Sequence, residues 1–167
     1  MNLKEAKQDG IDSVAIAFMH SYVNSEHENK IAEIAREENF NQISISHKVS
    51  PLIKLVGRGD TTVADAYLSP ILRRYVNQVS EELKDSKSTK LMFMQSNGGL
   101  TDAHLFQGKD ALLSGPAGGV VSMTETGKQA GYDKLIGFDM GGTSADVWHY
   151  FNNIEKKFKK DNFNFYS

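Results

Sequence analysis

The stretch Leu135–Val147, reading LIGFDMGGTSADV, restricts this chain more than any other part of it. A mostly apolar run carrying one acid, Asp139, leads straight into Gly141-Gly142-Thr143, and a second acid follows at Asp146. The pattern predicts a β-strand that ends in a tight turn, with backbone N–H groups able to point at an anion. Glycine suits such a turn because a Cβ would hinder both the turn dihedrals and the close approach of a phosphate. An acid in the turn can hold a magnesium ion through water, since magnesium takes few carboxylates and keeps several waters. A bare Gly-Gly-Thr also fits an ordinary hairpin tip with no chemistry, so the neighbourhood has to decide.

That neighbourhood is Ser114-Gly115-Pro116-Ala117-Gly118-Gly119, which opens a predicted helix delivering the chain into the strand. Pro116 suits the first turn of a helix, where its missing N–H costs little. Ala117, Gly118, Gly119 and Ser122 give the helix a nearly bare face that another element can approach closely. Glycine inside a helix costs about 1 kcal/mol relative to alanine, so two of them call for a steric or functional reason. Gly131 is placed to end this helix.

The remainder reads as alternating helix and strand. Asn2–Asp9 reads as the last turns of a helix, with Gly10 just past its end. Val14–Met19 is a buried strand, and His20-Ser21-Tyr22 follows at its carboxyl end, where open α/β sheets place ligands. A histidine bonded into a loop explains the same residues. Ser25 and Glu28 have capping-box spacing for a helix to about Asn39, with Ile31, Ile34 and Ala35 inward. Ile43–Ser46 alternates as a half-buried strand does. The order is that of an α/β sheet with crossover connections. Gly57-Arg58-Gly59-Asp60 reads as a solvated turn, or as a guanidinium presented to a carboxylate or phosphate. Thr61 or Thr62 would cap the next helix, running through Leu83 with Ala66, Tyr67, Ile71, Tyr75 and Val79 on its core face. Pro70 predicts a kink or break there. Leu91–Gln95 is another strand, Thr101–Phe106 a short turn or helix, and Gln95, Ser96 and Asn97 serve equally as site or as scaffold.

Apolar residues make up 40% of the chain and charged residues 24%, the balance of a globular domain rather than a disordered or membrane one. A net charge of −2 gives no reason to expect nucleic acid as a partner. No cysteine is present, which excludes disulfides and thiolate metal sites. The five histidines show no metal-ligand spacing, and neither a GxSxG elbow nor a GxxxxGK[ST] phosphate loop occurs. No apolar run reaches the roughly 18–20 residues that span a bilayer, so no membrane association is expected.

SGPAGGVV followed by GFDMGGTSADV resembles the paired signature of the hydantoinase A and 5-oxoprolinase family, and FMHSY, VSPLIKLVGRGDTTVADAYLSP and MQSNGGL fit it as well. These segments are most similar to its 5-oxoprolinase members. Ala145 departs from the pattern, where Thr or Ser is usual. The resemblance covers about Gly10 to Val147. It implies an α/β fold, part of the two-lobed actin/Hsp70-like (ribonuclease H-like) ATPase class, a mixed sheet with flanking helices. Residues 1–113 would be the remainder of a first lobe, 114–131 an interlobe helix, and 132–167 the start of a second lobe with a divergent, truncated tail from about 148.

The activity implied is ATP-dependent hydrolysis of a cyclic amide, 5-oxo-L-proline to L-glutamate, in the cytosol and in glutathione metabolism. A hydantoinase of the same family, or a non-catalytic chain that only binds partners, are the alternatives. Phosphate would be held by Gly141, Gly142, Thr143 and Ser144, with a further contact at Gly115 and Gly118. Asp139 would bind magnesium through water and Asp146 would support the turn or the metal. This class clamps its nucleotide between two glycine turns, and only one occurs here. The expected state is therefore an internal piece, lacking upstream and downstream parts of the same enzyme and inactive alone, with homo-oligomers a property to look for in the full-length form.

Overall fold

The computed structural model describes residues 2–83, 90–142 and 145–151. The chain divides into two compact units, Met1–Gly115 and Pro116–Ser167.

The first unit opens with α1 (Leu3–Gln8), where Asn2 and Glu5 form a reciprocal capping box. Gly10 follows at φ +85°, as its place past the helix end requires. Strand β1 (Ser13–Ile16), helix α2 (Glu26–Glu37) and strand β2 (Gln42–Ile45) form a crossover unit, with Val14 beside Ile43 and Ala15 beside Ser44 in a parallel pair. The predicted alternation of helix and strand is realised here. Ser25 does not cap α2 through its side chain; the Asn24 amide oxygen accepts from Glu26 N–H instead. Ala32 and Ala35 face inward, while Ile34 is exposed and Ile31 only partly covered.

After the single turn α3 (Ser46–Val49), α4 (Leu55–Glu82) runs through Pro70 without a break. It begins before Thr61 and Thr62, whose hydroxyls donate back to the Gly57 and Arg58 carbonyls rather than capping. Its inner stripe is Thr62, Asp65, Ala66, Ser69 and Val76, not the aromatic stripe read from the sequence; Tyr67 is 70% exposed. Of the residues expected on the core face, Ala66 is buried and Val79 half-buried, whereas Tyr67, Ile71 and Tyr75 are exposed. The carboxyl end of the unit is a second, antiparallel pair, β3 (Met92–Met94) with β4 (Leu100–Asp102), then a 3-10 turn over Ala103–Leu105 and the single turn α5 (Gly108–Ala111). Val76, Ala103 and Phe106 close a core against α4, and the Phe93 and Phe106 rings stack at 5.0 Å.

In the second unit, α6 (Ser114–Gln129) leads through Gly131, at φ +82°, into the antiparallel hairpin β5 (Lys134–Met140) and β6 (Ala145–Phe151). Strand β6 therefore includes Trp148 to Phe151, which the sequence reading placed in a tail without periodicity. One hairpin face carries Leu135, Gly137 and Asp139 opposite Tyr150, Trp148 and Asp146. The other face exposes Ile136, Phe138, Met140, Val147 and Phe151.

Candidate functional site

A row of small and flexible residues on α6, Gly119, Met123 and Gly127, is spaced four apart and so lies on one side of the helix. Each meets the hairpin. A Cβ on Gly127 would stand 2.2 Å from Leu135 Cδ1, and one on Gly119 would stand 3.2 Å from the Trp148 ring. From the strand side, a Cβ on Gly137 would stand 2.3 Å from Met123 Sδ. The bare helical face expected from the sequence therefore has a steric use, although Ser122 lies outside it and is exposed.

This packing fixes the two acids. Asp139 and Asp146 are direct cross-strand partners, one pair before the Met140–Ala145 pair that closes the turn. Their side chains share the helix-facing side, and an Asp139 carboxylate oxygen lies 4.0 Å from the position a Gly119 Cβ would take. Like charges directly opposed across a strand pair destabilise it unless a cation or proton intervenes. Neither carboxylate forms a hydrogen bond or ion pair among the described residues. Gly141 and Gly142 sit in the connection just beyond, both exposed, and a Cβ at Gly142 would meet nothing within 4 Å. Thr143 and Ser144 lie outside the described residues. Gly115 and Gly118 occupy the first turns of α6, and open space surrounds the Cβ position of Gly115. Among the described residues no group of three or more His, Asp or Glu side chains is placed to enclose a metal. Any ion at Asp139 and Asp146 would keep most of its waters, as magnesium does.

A different cluster lies at the carboxyl ends of β1 and β2 in the first unit. Arg58 is fully buried in the first turns of α4 and is no solvated turn. Its guanidinium donates to the carbonyls of Phe18, Met19, Leu52 and Ile53, and its Nε donates to Ser46 Oγ at 2.9 Å. The Ser46 hydroxyl in turn donates to Glu28. Glu28, equally buried, accepts from Phe18 N–H at 2.8 Å, from His47 N–H at 3.1 Å and from the His47 ring at 2.7 Å. Burial alone would raise the Glu28 pKa. The Ser46 and His47 side chains and the two backbone N–H groups outweigh it and hold the carboxyl at about 2.

Two opposite buried charges, bridged by one hydroxyl, thus pin the loop after β1 to α3 and to the entry of α4. In that loop Ser21 is buried against Phe18 and Ser46, Tyr22 lies under the Arg58 guanidinium at 5.5 Å, and His20 is exposed. Sequence reasoning assigned Glu28 to a capping box. The available signal was its place on one helix face with Ala32 and Ala35, where a charge needs buried partners. In the β3–β4 turn, Ser96 bonds Asp110 and Leu113, and Asn97 accepts from Gly99 N–H. Both side chains are thus held by hydrogen bonds within this part of the fold.

The Hydantoinase/oxoprolinase family model matches residues 58–164, and the model of the Hydantoinase/oxoprolinase N-terminal region matches residues 1–39. The chain belongs to this family. Within the hydantoinase/oxoprolinase family it is 48% identical to the 5-oxoprolinase of Saccharomyces cerevisiae over 153 residues, 89% of this chain and 12% of that protein. The chain thus spans only about an eighth of that relative's length. Similar solved structures include the following two. Nucleotide-free acetone carboxylase, described as performing ATP-dependent acetone carboxylation, aligns at TM-score 0.76 and 26% identity over 90% of this chain and 22% of its own. The ATP-dependent caprolactamase of Pseudomonas jessenii aligns at TM-score 0.74 and 30% identity over 86% and 21%. The mixed α/β fold is common to all three. Among the described residues no helix is long and apolar enough to cross a membrane.

Proposed function

We propose that this chain forms part of an ATP-dependent cyclic-amide hydrolase acting on 5-oxo-L-proline, within a two-lobed actin/Hsp70-like frame. The observation that carries the nucleotide role is the opposed pair Asp139 and Asp146 beside an open glycine turn. Two carboxylates facing each other without a cationic partner among the described residues favour a hydrated magnesium ion, and the adjoining N–H groups favour phosphate oxygens. Asp139 would hold the ion through water, Asp146 would support the turn or the metal, and Gly141 and Gly142 would leave room for the phosphate to approach. Thr143 and Ser144, outside the described residues, would add phosphate contacts as the resemblance implies. The α6 helix connects the lobes, and its start at Gly115 and Gly118 offers a secondary phosphate contact. When bound, ATP would supply the phosphoryl group that turns the lactam oxygen into a good leaving group before water opens the ring. The substrate class rests on the identity to yeast 5-oxoprolinase and on the relative named for caprolactam, another lactam.

The test is an exchange. The matched segment of this chain replaces its counterpart in the yeast 5-oxoprolinase, and glutamate formation is measured with Mg-ATP and 5-oxo-L-proline. Activity within about tenfold of the parent is expected. Asp139→Asn in that chimera should lower turnover by on the order of 100-fold or more, in the range of lost electrostatic stabilisation at a charged centre. Full activity in the Asp139→Asn chimera would remove the site assignment while leaving the family intact.

A further inference from the structure

A cleft of about 230 Å³ runs along β2 in the first unit. Three cations line it from three different elements: Arg36 at the end of α2, Lys48 in α3 and Arg73 in α4. Asp65 is the one carboxylate among the lining residues, and its oxygens are already engaged. Ser44 Oγ donates to one at 2.6 Å, while Ser69 Oγ, at 3.1 Å, and Lys109 N–H, at 3.0 Å, donate to the other. The floor is a single hydrogen-bonded run: Arg73 Nη2 to Gln42 Oε1, Gln42 Nε2 to Ser44 Oγ at 2.8 Å, then Ser44 to Asp65. Gln42, Ser44, Asp65 and Ser69 are all buried. This run anchors one arm of the Arg73 guanidinium at the cleft. Among the described residues the side chains of Arg36 and Lys48 make no hydrogen bond or ion pair.

Three positive groups around one cleft repel one another, and Asp65, hydrogen-bonded by uncharged donors, offsets only one of the three charges. An anion entering the cleft relieves that repulsion and finds guanidinium forks suited to paired oxygens. The volume is below the roughly 300 Å³ at which drug-sized pockets begin, so the ligand is small. We propose that this cleft binds a small oxyanion carrying two or more negative charges. Dicarboxylates and inorganic phosphate are the two sources of that chemistry. The site is built wholly from the first unit and is independent of the nucleotide reading.

Titration of the 167-residue chain at fixed ionic strength with succinate, with inorganic phosphate and with chloride, followed by amide chemical shifts, tests it. Saturable shifts at β2 and the neighbouring turns are expected with succinate or phosphate, and whichever saturates at lower concentration identifies the source. Arg36→Gln and Lys48→Gln should each weaken that binding tenfold or more, with unchanged far-UV circular dichroism, because neither side chain has a partner to lose among the described residues. Equal shifts with chloride, non-saturating shifts, or affinities within twofold of wild type in both variants would overturn the proposal.

Discussion

Arg58 illustrates how a residue's role depends on what surrounds it. Between two glycines it reads as a surface turn, because glycine pairs punctuate loops. In the folded chain its guanidinium replaces water at four carbonyls that lie up to 40 residues away in sequence. No local pattern encodes a partner at that separation. Glu28 is its counterpart, and its chemistry has a measurable consequence. The folded surroundings hold this carboxyl at about 2, below its ordinary value of 4.5, a difference corresponding to about 3 kcal/mol. Since the folded value is the lower one, this contribution is complete above about pH 4.5 and is lost as pH falls towards 2. Glu28→Gln should therefore narrow the difference between urea midpoints measured at pH 3 and pH 7. An unchanged difference would show that the Ser46 and His47 contacts do not set the titration.

Within elements, glycine has opposite meanings at different positions. Gly59 lies inside α4, and a Cβ there would meet nothing within 4 Å. Gly59→Ala should stabilise the chain by about 0.5–1 kcal/mol through helix propensity and the unfolded-state entropy of glycine. Gly108 opens α5 against α4, where a Cβ would come within 2.9 Å of the Ser69 backbone nitrogen and 3.0 Å of the Asp65 carbonyl oxygen. Backbone cannot step aside as a side-chain tip can, so Gly108→Ala should destabilise by about 1–3 kcal/mol. Chemical denaturation of the two variants side by side reads both signs. The same distinction explains α6. Its two paired glycines were legible as a demand for close approach, but only packing shows that Gly119 and Gly127, with Met123 between, are the residues approached. For α4 the period was visible, yet the inner stripe is set by polar Thr62, Asp65 and Ser69, whose hydrogen bonds permit burial that hydropathy alone disfavours.

For the whole molecule, the proposed two-lobed frame would hold its nucleotide between opposed glycine turns, and this sequence carries one such turn, at Gly141-Gly142-Thr143. A single turn leaves the far side of the phosphates in water, where hydrogen bonds and charges are worth little. The 167-residue chain alone is thus expected to release no phosphate from Mg-ATP above background. Turnover that disappears in Asp139→Ala would contradict this. The local signals were sufficient for the alternation of helices and strands, the glycine turn with its two acids, and membership of the hydantoinase/oxoprolinase family. All of these depend on residues close in sequence, where propensity, spacing and turn geometry act directly. Tertiary structure alone decided that Asp139 faces Asp146 beside α6, that Arg58 and Glu28 are buried together, and that Arg36, Lys48 and Arg73 share a cleft. Those arrangements depend on Coulomb and hydrogen-bond partners brought together by folding, and their energies exist only once distant segments exclude water between them.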